Sequence, residues 1–557
     1  MDHEFGGKAK ATPDTIGIIS RHTDGVPTQI DRTLRDLEVV NPSELVNSDS
    51  EYVRIVTSRD NVSPALAKAI NELATSDDPG SVRSYELLKV LSLFPQGEQL
   101  ARVKRFNPTR AFHPPHATAL LDQALIEVNN VKRLDTEESE APGKTLLVPR
   151  IIRDIVKEKV AETEIRQLNR KATELYFGSG WTAGTYKPPP AYRFDRPHCA
   201  SADIVNAGAI LVRLIKDLIV LDDTQQLSRA LGLANSYLRA LIRGDHYRSA
   251  VLLCDDIIPI VPESGFDAQL TNLKAEYVNC LRMTGNDLKS ISITAELDLQ
   301  KFSILDQQDL LLDLALAYSS QKEDEEAKVI AEQVIRLDEH SSFALQARAI
   351  IIDLSPDDPA RLSKLAKLET RCRKEGATVV ANNIALTRSA EAAGDADLVR
   401  KILAPVVKTN GGEKQDFYNR MRAALELAEL ALDNGERLNE KDLVYLVNAY
   451  HFLFNERLPG FFEECHDALW RSFEAAGDLG NLLTLFRFSS LYWRLRGREK
   501  TEQKYWRKLA ATVGNQFSEK MSKLSREAAY FLVRAVSQDA SPKSSPPQRI
   551  GIAEPPA

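Results

Sequence analysis

The sequence predicts a mostly α-helical protein in which a small helical domain with a two-stranded wing precedes a long α-solenoid of helical hairpins. Two observations support this prediction. Three apolar helices and two β-prone runs follow one another between residues 63 and 160, and apolar helices alternate with turns from about residue 202 to residue 538. A chain of 557 residues is also too long for one hydrophobic core, so several domains are expected.

The composition is that of a globular protein, with 43% hydrophobic and 27% charged residues. Because the net charge is −7, any binding of nucleic acid would need a local basic patch. The cysteines lack paired spacing, which argues against a disulfide framework or a zinc site and favours a reducing cytoplasm. They are Cys199, Cys254, Cys280, Cys372 and Cys465. The sequence has neither a signal-peptide core nor a membrane-length apolar run, so no membrane partner is expected.

The two ends of the chain have distinct compositions. Residues 1–12 are expected to form a disordered leader, and residues 13–62 a helical segment with a Gly25-Val26-Pro27 turn. Pro27 suits the first turn of a helix, because its missing N–H would be unpaired there. The Pro- and Ser-rich residues 539–557 are expected to form a disordered tail.

Residues 63–177 have the element order of a winged-helix domain and a following helix. Helices are predicted over residues 63–74 and 84–94 and from Pro114, and strands near residues 126–130 and 145–148. The acidic segment between these strands, residues 134–143, predicts a hairpin tip. One long helix is then predicted up to Phe177, and the Gly- and Pro-rich residues 178–201 predict a connector between domains.

The sharpest repeat spans residues 311–338. Small residues at Ala315 and Ala327 would let two helices approach closely, while Tyr318 fills the angle between them. This pattern resembles a tetratricopeptide repeat, whose alanine and glycine positions serve the same ends. Residues 237–262 fit the same spacing, and residues 488–505 fit it more loosely.

Turn-forming residues also recur between the apolar helices of this region, at Gly244, Gly285, Gly394, Gly435, Gly477 and Gly497. Neighbouring turns lie about 40 residues apart where no copy is missing, which is a solenoid period. We therefore expect six to eight tetratricopeptide-like hairpins over residues 202–538.

The order of these parts resembles the C-terminal two-thirds of a STAND-type signalling ATPase, a relative of the NB-ARC and apoptotic ATPases. The motifs that carry the resemblance are Gly25-Val26-Pro27, "LLKVLSLFPQGEQLARVKRF", "LLVPRIIRDIV" and "ATELYFGSGW". Such proteins are common in bacteria as regulators and anti-phage sensors. The resemblance implies that Pro27 lies against an adenine base and that Arg150, where the NB-ARC type has a nearby histidine, reaches a phosphate.

The family's phosphate-binding loop and acidic metal-binding strand should precede Gly25, and the sequence has neither. The chain is therefore expected to be the sensor half of a switch, without ATP hydrolysis of its own and without a cofactor. ATP or ADP with magnesium would bind only if an ATPase domain, or a partner that carries one, were supplied.

Candidate catalytic motifs have simpler structural explanations. The Gly-rich residues 178–187 follow a helix and lack the Lys-Ser/Thr pair of a phosphate loop, so Gly178 is interpreted as a helix C-cap. Neighbouring His198-Cys199 and Cys465-His466 would point about 100° apart on a helix, so neither makes a nucleophile–base pair. The "HPPH" segment, with His113 and His116, predicts a helix start, and carboxylate pairs such as Asp255-Asp256 predict charged helix faces. No catalytic or metal-binding residue is expected.

Two basic stretches bear on possible partners. The stretch at residues 101–113 precedes the third helix of the predicted winged helix, but that helix itself is apolar and slightly acidic, which disfavours DNA binding. The stretch at residues 487–510 mixes basic and aromatic residues and predicts a face that binds a protein or peptide. Its predicted contacts are Arg494, Arg498, Arg507, Trp493 and Trp506.

The sequence thus favours a recognition and signalling protein that binds a protein or peptide trigger, with an ATPase or effector as a further partner. The alternative is a winged-helix DNA-binding regulator with a helical-repeat ligand domain. A salt-sensitive interaction with DNA would distinguish the two, because phosphate contacts depend steeply on ionic strength.

Overall fold

The computed structural model describes residues 64–515 apart from residues 105, 108, 130–143, 185, 198, 393, 409–415 and 457. The predicted leader, the segment with the Gly25-Val26-Pro27 turn, the hairpin tip and the tail all lie outside the described residues, as do Pro27 and His198. The predictions for them remain predictions.

The N-terminal helical part has the winged-helix order. Its helices are α1 (Pro64–Thr75), α2 (Pro79–Leu91), α3 (Leu100–Val103) and α4 (Pro114–Asp122), and its strands are β1 (Glu98–Gln99), β2 (Glu127–Asn129) and β3 (Thr145–Leu147). The strands form one antiparallel sheet in the order β1-β3-β2, in which Glu98 pairs with Leu146 and Glu127 with Leu147. Asp78 begins α2 by accepting a hydrogen bond from the backbone of Ser81, which satisfies an otherwise unpaired N–H.

Two details differ from the sequence prediction. The wing has a third strand, β1, whose two residues are too few to show a period-2 pattern. The long helix predicted up to Phe177 is two helices, α5 (Arg150–Lys159) and α6 (Glu162–Phe177), separated by extended backbone at Val160 and Ala161. Basic residues end α5 and acidic residues begin α6, so the charges at this break favour both helix dipoles.

The segment predicted as a connector is packed rather than open. It contains a 3₁₀ turn over Ser179–Ala183, and the side chains of Trp181, Tyr192 and Phe194 are buried. They belong to a single hydrophobic cluster that runs from Ile70 in α1 to Leu281. The winged helix and the first hairpins of the array therefore share one core.

The remaining chain is an array of helices. They are α7 (Ser201–Val220), α8 (Thr224–Arg243), α9 (Tyr247–Ile257), α10 (Asp267–Met283), α11 (Asp287–Glu296), α12 (Ile304–Ser320), α13 (Asp324–Leu337), α14 (Ser342–Asp353), α15 (Arg361–Lys374), α16 (Thr378–Glu391), α17 (Ala396–Lys408), α18 (Phe417–Asp433), α19 (Glu440–Glu456), α20 (Pro459–Ala476), α21 (Leu479–Leu495) and α22 (Glu499–Asn515). Short 3₁₀ turns occur at Ile258–Ile260 and Leu299–Lys301.

One turn geometry recurs along the array. After α10, Gly285 has a φ of 78°, and the N–H of Asn286 donates to the carbonyl of Leu281, which caps the helix. The same backbone bond, from a residue to the carbonyl five positions earlier, follows eight more helices of the array. Its donors are Asp223, His246, Glu323, Ala377, Glu436, Leu458, Asp478 and Arg498. The predicted turns at Gly244, Gly285, Gly435, Gly477 and Gly497 are therefore real hairpin turns, although at the first of them Asp245 has the positive φ.

The interior of the array matches the predicted repeat. Helices α12 and α13 pack closely, and Ala315, Ala327 and Ala331 are fully buried between them. Tyr237 and Ala250 are buried in the earlier copy, and Tyr492 and Tyr505 in the last one. The predicted fold class, a mostly α protein with a winged helix and an α-solenoid of tetratricopeptide-like hairpins, is confirmed.

The chain divides into two compact units. Among the described residues, the larger comprises residues 64–129 and 144–465 and the smaller comprises residues 466–515. Within the described ranges, no helix has the length and apolarity needed to cross a membrane.

Candidate functional site

A buried carboxylate lies where the winged helix meets the array. Glu98, in β1, is 2% exposed and accepts hydrogen bonds from the hydroxyl of Tyr176 in α6 and, at 3.5 Å, from that of Tyr192. Its other oxygen accepts from the backbone N–H of Gln99 at 2.8 Å. Three separate segments of the chain thus converge on one side chain.

Arg102 joins this carboxylate to the first helix of the array. Its guanidinium lies 3.3 Å from Glu98 and 2.6 Å from Asp203 in α7, and it stacks over the ring of Tyr192 at 4.8 Å. Two carboxylates from different elements therefore share one cation, which offsets part of their negative charge in a largely dry environment. We call Glu98, Arg102, Tyr176, Asp203 and Asn206 the joint.

Asn206 completes the joint, because its side chain forms hydrogen bonds to the backbone of Gln96 and Gly97. Its side-chain oxygen accepts from the N–H of Gln96 at 2.9 Å, and its amide donates to the carbonyl of Gly97 at 2.9 Å and to the Tyr176 hydroxyl at 3.1 Å. Two helical turns further along α7, Arg213 donates to the carbonyl of Leu93 at 2.5 Å. Helix α7 therefore holds the segment between α2 and β1 by three hydrogen bonds and Tyr176 of α6 by a fourth.

Burial dominates the electrostatics of the joint. It raises the pKa of Glu98, against the opposing effects of Tyr176 and Arg102, and it raises the pKa of Tyr176 well above its usual value. Burial lowers the pKa of Arg102, but Asp203 and Glu98 outweigh this effect, so its pKa is raised. The joint is thus a network in which each charge depends on its partners.

The face of α4 that a DNA-binding winged helix would use is not basic. The described exposed side chains of α4 include Thr118, Leu121 and Asp122, and Leu121 is 43% exposed. Of the basic stretch before this helix, Arg102 is committed to the joint, whereas Lys104 and Arg110 are exposed. Arg102 therefore has a structural contact within the chain rather than an exposed position.

The predicted partner-binding residues of α21 and α22 occupy three different environments. Arg498 and Arg507 are exposed, whereas the guanidinium of Arg494 lies 2.7 Å from Glu502. Trp506 is half-buried, with its ring 5.4 Å from that of Phe486. Trp493 is fully buried, so its placement on a partner-binding surface is corrected: it is a core residue.

Trp493 belongs to an aromatic cluster in the smaller unit, around His466. The imidazole of His466 is fully buried, with ring centres 4.7 Å from Trp493 and 4.3 Å from Tyr505. Neither ring nitrogen has a hydrogen-bond partner among the described residues. Burial and, less strongly, Lys508 and Lys504 depress its pKa well below the usual value, so the ring is neutral in the folded protein.

The cysteines considered as catalytic candidates are buried or half-buried. Cys254, Cys280 and Cys465 are buried, and burial raises the pKa of each thiol. Cys199 is half-buried, and burial raises the pKa of its thiol to about 12. Within the described part of the chain, no group of three or more His, Cys, Asp or Glu residues could hold a metal ion.

Other sequence predictions can be placed directly. His113 is the N-cap residue of α4 and its backbone N–H donates to the ring of His116 at 3.0 Å, as expected for a helix start. Gly178 is the C-cap of α6, with a φ of 85°. Arg150 begins α5 and lies 3.8 Å from Asp154, so its guanidinium has an acidic neighbour in the same helix.

The joint was not foreseen, because its members come from three separate segments of the chain, around residues 98–102, 176 and 203–206. The available signals were the Glu98–Arg102 pair at i,i+4 spacing and the polar residues Asp203 and Asn206 within the otherwise apolar α7. The spacing of Glu98 and Arg102 does not show that Asp203 is a further partner, and the polar residues of α7 do not show what they contact.

No family model matches the sequence, and no curated protein matches it significantly. Among solved structures, the chain is similar to the crystal structure of a signal transduction ATPase with numerous domains (STAND) protein with a tetratricopeptide repeat sensor, from Pyrococcus horikoshii. The two share 14% sequence identity, and the match covers 92% of this chain and 72% of that chain with a TM-score of 0.35. A TM-score this low carries no argument, so the conclusions below depend on the chain's own geometry.

Proposed function

We propose that the chain is a non-catalytic recognition and signalling protein whose helical array binds a protein or peptide trigger. The observation that carries the proposal is the joint, which connects the array to the winged helix through buried, mutually dependent charges. A ligand that shifts α7 would have to displace Glu98 and β1 with it. The array is the receiving element, and the winged helix is the responding one.

The array is suited to binding because its hairpins present long exposed helical faces. Helical-repeat arrays generally use such surfaces to bind extended peptides or proteins. The exposed residues of α22 and of the turn before it include Arg498, Lys504 and Arg507, which favour an acidic partner surface. In its finer form, the proposal is that the chain is the sensor half of a STAND-type switch in defence or regulation.

We also propose that the described part of the chain carries no catalytic activity. The buried thiols have raised pKa values, which disfavours a nucleophilic role for them. An ATPase domain, with ATP or ADP and magnesium, would have to be supplied in addition to the residues described. The rival function, DNA binding by the winged helix, is disfavoured by the apolar and acidic exposed face of α4.

The proposal can be tested with a peptide selected from a display library on the full chain. Charge reversal of Arg494, Arg498 and Arg507 to Glu should weaken its binding by about tenfold, because three attractive charges become repulsive. Fluorescence anisotropy of the labelled peptide would measure the dissociation constant.

The matched control reverses Lys301, Lys322 and Lys328, which are exposed residues around α12 and α13. It changes the net charge equally and should leave the affinity within about twofold. Equal weakening in both variants would remove the α21–α22 face from the proposal. Tight, steeply salt-dependent binding of a DNA duplex would instead support the regulator.

A further inference from the structure

An early and a late hairpin of the larger unit meet at a polar contact. His246, in the turn between α8 and α9, is 3% exposed, and its Nδ1 lies 3.2 Å from a carboxylate oxygen of Glu456 at the end of α19. The two residues are 210 positions apart. Its other ring nitrogen lies 2.9 Å from the carbonyl of Arg196.

Glu456 also caps a helix that is not its own. Its second carboxylate oxygen accepts from the backbone N–H of Arg248, in the first turn of α9, at 3.2 Å. His246, the N-cap residue of α9, supplies no side-chain cap of its own. A carboxylate at a helix N-terminus satisfies an unpaired N–H and interacts favourably with the helix dipole.

A second pair of contacts reinforces the first. The carboxylate of Asp245 accepts from the Tyr247 hydroxyl at 3.1 Å, and it lies close enough to the start of α18 for the Tyr418 backbone to lower its pKa. The ring of His246 lies 6.2 Å from that of Phe452 in α19. The turn between α8 and α9 therefore contacts α19 and lies beside the start of α18.

The helices that meet at the His246–Glu456 contact do not share one of the hydrophobic clusters that join neighbouring hairpins. Helices α8 and α9 belong to the hydrophobic cluster that runs from Ile70 to Leu281, whereas Ala423 of α18 belongs to a separate cluster with residues of α16 and α17. Across the junction, the described residues form the His246–Glu456 pair, a hydrogen bond from the N–H of Arg248 to Glu456 and the ring contact of His246 with Phe452. Buried polar contacts of this kind depend on both of their partners.

We propose that Asp245, His246, Arg248, Tyr418 and Glu456 form a releasable clasp that holds the helical array closed between α9 and α19. When the clasp opens, the turn between α8 and α9 separates from α18 and α19 while each hairpin keeps its own core. The inference does not depend on the identity of any ligand.

The charge state of Asp245 supports a dependence of the clasp on pH. Burial raises its pKa to about 7; the Tyr247 hydroxyl opposes this effect, and Asp416 adds to it. The titratable and charged groups around the clasp come from the turn between α8 and α9, from α10, from the start of α18 and from α19. They are Asp245, His246, Tyr247 and Arg248 of the turn, Arg282 of α10, Asp416 and Tyr418 at the start of α18, and Tyr445 and Glu456 of α19. Because the raised pKa means that the closed form retains a proton, the clasp weakens as pH rises from 3.8 to about 7.

The clasp can be tested by hydrogen exchange of the full chain with Glu456→Ala. Amides in the first turns of α9 and α18 should exchange about tenfold to a hundredfold faster, while those of α12 and α13 keep their rates. The control is Glu440→Ala, an exposed residue at the other end of α19, which should change neither region. Unchanged exchange at α9 and α18, or equal acceleration throughout the unit, would overturn the clasp.

A second variant separates the clasp from a general loss of stability. Asn tolerates the positive φ of Asp245 and mimics its protonated form, so Asp245→Asn should fold. In the unmodified chain, the exchange rates of amides in α9 and α18 should rise between pH 5 and pH 8 after correction for the intrinsic effect of pH. In Asp245→Asn this rise should disappear. The same rise in both proteins would contradict the role given to Asp245.

Discussion

Replacing Arg102 with Met should lower the free energy of unfolding by about 3 kcal/mol, the lower end for breaking a buried ion pair. The lower end applies because the Arg102 side chain is 22% exposed. The substitution keeps most of the apolar stem but leaves Glu98 and Asp203 as buried carboxylates without a shared cation. Urea unfolding at neutral pH, followed by circular dichroism, would measure the change.

Arg166→Met is the matched control. Arg166 pairs with Glu162 within α6 at 2.9 Å, but Glu162 is 84% exposed, so this loss should cost less than about 1 kcal/mol. Adding Asp203→Asn to Arg102→Met should restore part of the stability, because one of the two unpaired charges is removed. A loss in Arg102→Met no larger than in Arg166→Met would show that the joint contributes little.

Replacing His466 with Phe should remove an acid sensitivity of the smaller unit. The pKa of His466 is depressed in the folded state, so the folded form stays neutral while the unfolded form gains a proton below its usual pKa of 6.5. This residue therefore imposes no penalty above pH 6.5, and a penalty that grows by up to about 1.4 kcal/mol per pH unit below it. Between pH 6.5 and pH 4.5 the unmodified chain should lose more stability than His466→Phe, by up to about 2 kcal/mol.

Tryptophan fluorescence during urea unfolding is a suitable measurement, because Trp470 and Trp493 lie against His466. His340→Phe serves as the control, since the His340 side chain is 82% exposed. His466→Phe also places an apolar ring where two imidazole nitrogens lack partners, so it should be at least as stable as the unmodified chain at neutral pH. Parallel pH profiles for the two proteins would contradict a neutral, buried His466.

Much of the fold could be predicted from local pattern. Apolar residues at helical spacing marked the array, and turn residues such as Gly285 and Gly477 marked its hairpins. The break at Val160 was missed because the helical apolar pattern continues across it. Trp493 was assigned to the wrong face, although Phe486 and Ser489, seven and four residues earlier, are both buried and indicate its orientation.

The joint and the clasp could not be predicted in the same way. Glu98 contacts residues in α6 and α7, and His246 contacts a residue 210 positions away, so no sequence spacing relates the partners. Each site depends on how helices pack, and the sequence showed only that single polar residues interrupt apolar faces. Such residues are useful signals, because a buried polar side chain requires a partner.

The central claim is that the array binds the trigger and that the joint passes the change to the winged helix. Hydrogen exchange of the full chain, with and without a saturating peptide selected on it, tests this claim most directly. The account predicts slower exchange in array helices together with altered exchange at residues 93–99, which hydrogen-bond to Arg213 and Asn206 of α7. Protection confined to α4 and the wing, or array protection that leaves residues 93–99 unchanged, would contradict it.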